Sequence, residues 1–165
     1  MIFVTVGTHE QPFNRLVRYM DMLKENNLID DDVIIQTGYS TYVPRFCSWK
    51  KLFPYQKMIE NVEAARIVIT HGGPSSFIMP IQVGKIPIVV PRQNQYDEHV
   101  NNHQVDFSRT VAKRQGNIIV VEEIIELENK IAKYEEIVKT MHTVIKSNNM
   151  LFNENFKKMV NEIFE

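Results

Sequence analysis

The chain has 165 residues, 44% of them hydrophobic and 24% charged, with a formal net charge of -1. Those values describe one ordinary globular domain able to bury its own core, and they exclude a general nucleic-acid binder, which needs a basic footprint. One cysteine, Cys47, excludes an internal disulfide framework; with no apolar run near the ~20 residues of a membrane span and no signal peptide pattern, a cytoplasmic protein is expected, reaching a membrane only by docking.

Residues 2–6 (IFVTV) form an unbroken apolar and β-branched run, the pattern of a strand buried on both faces, and Gly7 ends it. Beyond Thr8, His9, Glu10, Gln11 and Pro12, the residues Phe13, Leu16, Val17 and Met20 recur at helical steps, which predicts an amphipathic helix from 12 to about 26. Residues 33–36 are a second strand, stopped at Thr37-Gly38. The stretch 39–51 is the least regular and reads as a loop holding at most one short strand. Pro54 opens a second helix ending near Ala65, with Met58, Ile59 and Val62 facing inward.

Residues 67–70 and 86–90 are two further strands. Between them lies a segment of helix length that opens with Gly72, Gly73, Pro74, Ser75 and Ser76. Residues 91–96 read as a polar loop, Asp97 or Glu98 as the start of a helix to about Lys113, and 117–121 as the last strand. From Glu122 onward Ile124, Ile125, Leu127, Ile131, Tyr134 and Val138 keep a helical period. A polar break at 146–149 precedes a final amphipathic helix carrying Leu151, Phe152, Phe156, Met159, Val160 and Ile163.

Strands alternate with helices throughout, which predicts an α/β fold: a Rossmann-like, doubly wound parallel sheet with helices on both faces. The chain reads as a single domain over 1–165, with a core over 1–121 and C-terminal helices over 122–165. Ligands of such folds sit outside the carboxyl ends of the strands, which selects the loops 7–12, 37–42, 71–76 and 91–99.

Among these, His71-Gly72-Gly73-Pro74-Ser75-Ser76 carries the strongest local signal. Paired glycines allow close backbone approach, the helix start adds partial positive charge, and two hydroxyls can donate to phosphate oxygens. The same hexapeptide also fits a plain strand-to-helix turn in which Ser75 or Ser76 caps the helix. His9, His71, His99, His103 and His142 show no metal-ligand spacing, so no metal site is expected. There is no G-x-S-x-G elbow, no G-x-G-x-x-G and no Walker lysine, which disfavours a serine hydrolase, a dinucleotide oxidoreductase and a P-loop kinase.

The stretches VTVGTHEQPFNRL, FPYQKMIENVEAARIVITHGG and THGGPSSFIMPIQVGKIPIVVPRQNQYDEHVNNHQ together resemble the C-terminal, donor-binding half of GT-B glycosyltransferases of the family 28 type. The resemblance runs from about Met1 to Val121 and is nearest the catalytic subunits of two-part enzymes that build bacterial exopolysaccharide and capsule. It implies one half of a GT-B fold and a nucleotide-diphosphate site on Gly7, Thr8, His71, Gly72, Gly73, Ser75 and Ser76. It places the uracil ring at Phe53 and Tyr55, and the sugar hydroxyls at Glu98 and His99 with Asn102 following. The family's ribose-binding glutamate falls on Met79, which cannot make that contact.

The reaction so implied is inverting transfer of a sugar from a UDP-sugar, galactose being the first donor to test. No cofactor and no metal are expected; the UDP-sugar is the substrate. A single Rossmann-like half further implies a membrane-anchored, acceptor-binding subunit that brings a polyprenyl-linked saccharide to the inner face of the cell membrane. His9 and Glu10, on the first loop, are the local candidates for the base that deprotonates the acceptor. The alternative is a non-catalytic nucleotide-sugar-binding module that regulates a partner, a reading favoured by Met79.

Overall fold

The apolar runs become the centre of one sheet because each alternates its side chains between two helix layers. The computed structural model describes residues 1–141, so the expected break at 146–149, the helix after it and His142 lie outside the described residues. In chain order the elements are β1 (Ile2–Thr5), α1 (Asn14–Glu25), β2 (Val33–Gln36), β3 (Ser48–Lys50), α2 (Tyr55–Ala64), β4 (Ile67–His71), α3 (Pro74–Gln82), β5 (Ile88–Val90), α4 (His103–Gln115), β6 (Ile119–Val120), α5 (Leu127–Ala132) and α6 (Tyr134–Thr140). All six strands pair in parallel, in the order β3-β2-β1-β4-β5-β6. This is the doubly wound sheet that the alternation of elements predicts.

Ile2, Val4, Ile67 and Ile69 point to one face, where Leu16, Val17, Met20 and Leu23 of α1 meet Leu127 and Ile131 of α5. Phe3 and Val68 point to the other, against Val62 of α2, while Val89 packs with Phe77 of α3 and with Val111 and Ala112 of α4. Tyr134 closes the first layer by donating its buried hydroxyl to the carbonyl of Ile86 at 2.7 Å.

Two expectations need correction. The fourth helix starts at His103 rather than at Asp97 or Glu98. Asp97 takes a left-handed φ of 54° that ends a short 3-10 turn, and the Glu98 side chain is pinned by residues far away in sequence. The helical period after Glu122 is also broken, giving a 3-10 turn over Ile124–Glu126 and then α5 and α6, which part at Lys133.

Candidate functional site

β1 and β4 lie side by side in the middle of the sheet, and the chain leaves them toward opposite edges. Where the winding reverses in this way, a crevice opens beyond the strand ends. A cavity of about 570 Å³ occupies that place, lined by Gly7, Thr8 and His9 after β1, Gln36 of β2, Phe53 and Tyr55, His71 of β4, and Ser75, Ser76 and Met79 of α3. Most of the residues expected to hold the diphosphate and the base thus share one space, although they come from two loops far apart in sequence.

His71 organises it. Its Nδ1 accepts the N–H of Gly73 at 3.0 Å and its Nε2 lies 2.8 Å from Oγ of Ser76. With Nδ1 an acceptor, the ring proton sits on Nε2 and goes to Ser76, whose own O–H remains to donate into the cavity. Burial, and then the nearby charge of Arg92, lower the imidazole pKa to about 4, so the ring is neutral at physiological pH.

The glycines serve a different purpose from the expected one. A Cβ on Gly7, which has φ +76°, would lie 2.2 Å from Nε2 of His71, and one on Gly73 would lie 2.2 Å from its Cε1. A Cβ on Gly72 would meet Gln104 of α4 at 2.9 Å. The glycines therefore clear room for an imidazole and a neighbouring helix. The N–H of Gly73 is spent on His71, and that of Gly7 on Thr5 Oγ1 at 3.3 Å. Neither serine caps α3 either: Gly73 is the N-cap and has no side chain to offer, and Pro74 follows it. The first-turn polarity of this nine-residue helix is left facing the cavity beside Ser75 and Ser76.

An aromatic wall faces it. Gln36, buried at the end of β2, donates to Thr5 Oγ1 at 3.2 Å and accepts the N–H of Phe53 at 2.8 Å. That fixes Phe53 edge-on to Phe3, with ring centroids 6.1 Å apart. Tyr55 stands at the rim, 72% exposed. Met79 joins the same apolar cluster as Phe53, so this side of the cavity offers ring-packing surface and no carboxylate.

The remaining site residues divide. His9 packs at a tilt of 40° against His99 with centroids 4.9 Å apart, and His99 meets His103 edge-on at 4.5 Å. Burial first, then the neighbouring His103, His9 and Arg92, hold the His99 pKa below its ordinary value. Among the described residues, no group of three or more His, Cys, Asp or Glu side chains could hold a metal ion. His9 accepts the N–H of Gln11 on Nδ1 at 3.2 Å, so in this arrangement it presents an N–H donor rather than the lone pair a base requires. Glu10 is exposed on the same loop.

Glu98, His99 and Asn102 do not line the cavity. Glu98 is 2% exposed, and its oxygens accept from Nε and Nη2 of Arg15, both at 2.9 Å, and from the N–H of Gln93 at 3.1 Å. Asn102 accepts the N–H of Asn94 at 2.9 Å, and the N–H groups of Val105 and Asp106 turn back onto its carbonyl. In this structure the pair expected to meet sugar hydroxyls builds the loop before α4 instead.

Arg92, in a stretch whose sequence looks like a polar loop, is among the largest fully buried side chains of the described residues. Its Nη2 donates to the carbonyl of Val6 at 2.9 Å, and its Nη1 to those of Gln11 at 2.7 Å and Glu98 at 3.1 Å. Both ends of the loop carrying Gly7, Thr8 and His9 are thereby stapled to the end of β5. Burial lowers its pKa to about 10, offset in part by Glu98, so it stays charged. An arginine two residues past the buried strand β5, at the carboxyl edge of the sheet, was the available signal.

Residues 1–163 match the glycosyltransferase family 28 C-terminal domain. Among solved structures, the chain is similar to CalG4, the calicheamicin glycosyltransferase, at 12% identity and TM-score 0.59, covering 86% of this chain and 37% of that one. It is also similar to the glycosyltransferase SnogD from Streptomyces nogalater, at 15% identity and TM-score 0.51, covering 92% of this chain and 42% of that one. A third, the glycotransferase of kitacinnamycin, shares 16% identity at TM-score 0.50, covering 84% of this chain and 37% of that one. The chain thus spans well under half of each of these proteins. No curated protein matches it.

Proposed function

The chain belongs to the glycosyltransferase family 28 C-terminal domain, and from that membership we propose that it is the donor-binding half of an inverting glycosyltransferase that uses a UDP-sugar. One observation carries this reading: Ser75 and Ser76 at the mouth of α3, the turn at Gly7-Thr8, and the Phe53–Tyr55 wall meet in a single cavity at the switch point. Hydroxyls at a helix N-terminus suit a pyrophosphate, and an aromatic wall suits a pyrimidine ring. As the glycosidic bond breaks, charge grows on the leaving diphosphate and is met by the helix terminus and by Ser76, already oriented by His71.

The acceptor site and the base belong, in this proposal, to a second, membrane-anchored subunit that brings a lipid-linked saccharide for capsule or exopolysaccharide synthesis. The chain covers 37–42% of the glycosyltransferases it is similar to in fold. The protein then works in the cytoplasm at the inner face of the membrane. Among the described residues no helix is long and apolar enough to cross it. Of the two local base candidates, Glu10 has the exposed carboxylate, whereas His9 is turned to donate.

Calorimetry with UDP, ADP and UDP-sugars, UDP-galactose first, tests the donor assignment: a clear preference for uridine is expected, and equal binding of ADP would defeat it. A regulatory binding module is the second reading, favoured by Met79 and by the sequestered Glu98. Sugar incorporation into membranes with the partner co-expressed separates the two. Ser76→Ala should lower incorporation by about tenfold or more in an enzyme and leave it intact in a regulator.

A further inference from the structure

On the far side of the sheet from β6, the segment around β3 combines exposed apolar side chains with an unusual local charge. From Val33 to Ile59 there is no Asp or Glu, while Arg45, Lys50, Lys51 and Lys57 all fall there, in a chain whose acids outnumber its bases, 20 to 19. Val43 is 57% exposed, Phe46 49% and Trp49 45%, three large apolar groups on one short stretch. They are contiguous: a cavity of about 700 Å³ lined by Arg18, Val43, Arg45 and Phe46 adjoins one of about 300 Å³ lined by Val43, Trp49 and Lys51.

We propose that this surface, Val43, Phe46 and Trp49 ringed by Arg18, Arg45 and Lys51, docks the protein directly onto an anionic lipid bilayer. Aromatic rings at headgroup depth with flanking Lys and Arg are what a negatively charged membrane surface selects. Asp21, beneath the loop, is 1% exposed, and its oxygens are taken up by the Tyr42 hydroxyl and the N–H groups of Arg45, Phe46 and Cys47. Glu25 is the carboxylate at the rim of the larger cavity. A protein strand added to the β3 edge is the weaker occupant, because Lys50 and Lys51 sit at that edge, where lysine discourages strand pairing. The proposal is independent of which nucleotide the switch-point cavity holds.

Trp49 is the only tryptophan, so its emission reports on this surface alone. The full chain is titrated with vesicles of phosphatidylcholine, with or without phosphatidylglycerol. A blue shift and quenching by brominated lipid are expected with the anionic vesicles, reversed by high salt and absent with phosphatidylcholine alone. The double variant Arg45→Glu/Lys51→Glu should lower vesicle co-sedimentation at least about tenfold, and Phe46→Ser should lower it too, with unfolding temperatures unchanged. No shift with anionic vesicles at low ionic strength would overturn the proposal. So would binding that survives charge reversal, or a Trp49 emission already blue before lipid is added, which would mean that protein covers the patch.

Discussion

Nε2 of His71 lies 2.8 Å from Oγ of Ser76, while Nδ1 of the same ring accepts the N–H of Gly73. The imidazole is a bracket: it receives a backbone proton on one side and directs a hydroxyl on the other. Ser76→Ala should therefore weaken UDP binding by about tenfold, the usual loss of one hydrogen bond to a charged acceptor, with little change in stability. Calorimetry beside thermal unfolding checks both halves, and unchanged affinity would remove Ser76 from the site.

The same ring makes stability depend on pH. Its folded pKa of about 4 lies below the ordinary 6.5, so the unfolded chain binds the proton more readily. The contribution of neutral His71 is complete above pH 6.5 and is lost as the pH falls from there to about 4, a loss on the order of 3 kcal/mol. Denaturant unfolding between those limits should show this slope. His71→Asn, whose amide oxygen can still take the Gly73 N–H, should flatten it.

Gly7 and Gly73 should fail for separable reasons. Gly7 combines φ +76° with a clash against the imidazole, whereas Gly73 has an ordinary φ of -76° and only the clash. Each single change to alanine is expected to lower the unfolding temperature by several degrees. Adding His71→Ala should restore most of the stability in the Gly73→Ala background and much less in Gly7→Ala, where the backbone strain persists. Equal recovery in both would show that the ring is not what the glycines accommodate.

Arg92 supports the first loop by donating to the carbonyls of Val6 and Gln11 from a fully buried position. Arg92→Met leaves those carbonyls unpaired and should cost about 3 kcal/mol. Arg92→Lys keeps the charge but cannot reach both ends of the loop, so a smaller loss of stability with a comparable loss of UDP affinity is expected. A lysine variant with normal affinity would mean that charge, not bracing, is what matters here.

Asp21 holds the irregular segment after β2. Burial pushes its carboxyl pKa up, but donation from the N–H groups of Arg45, Phe46 and Cys47 and from the Tyr42 hydroxyl outweighs that, and the net shift is downward. The stability it confers is present above the unfolded carboxylate pKa and disappears as the pH falls through the lower folded value. Asp21→Asn should thus be about 2 kcal/mol less stable at pH 7, with the gap to the parent narrowing in acid. In the parent, Cys47 should resist alkylation until the chain unfolds, since burial, then Asp21, raise its thiol pKa to about 12.

What could be read from the residues alone was whatever depends on neighbours in sequence. The period of the apolar positions is local, so 33–36 was legible as β2 to the residue, and Pro54 as the opening of α2. The alternation of elements is local too, and with it came the parallel sheet and the loops at its carboxyl ends. What the folded chain alone decided were pairings between distant residues: Arg15 with Glu98, 83 positions apart, and Arg92 with Val6, 86 apart. Glu98 reads as an exposed helix-start carboxylate until a guanidinium from α1 takes both its oxygens. The glycines read as open backbone until the His71 ring fills the space they leave. Local sequence sets which conformations are cheap; burial beside a particular distant partner settles what each polar atom spends its hydrogen bonds on, and no periodicity records that choice.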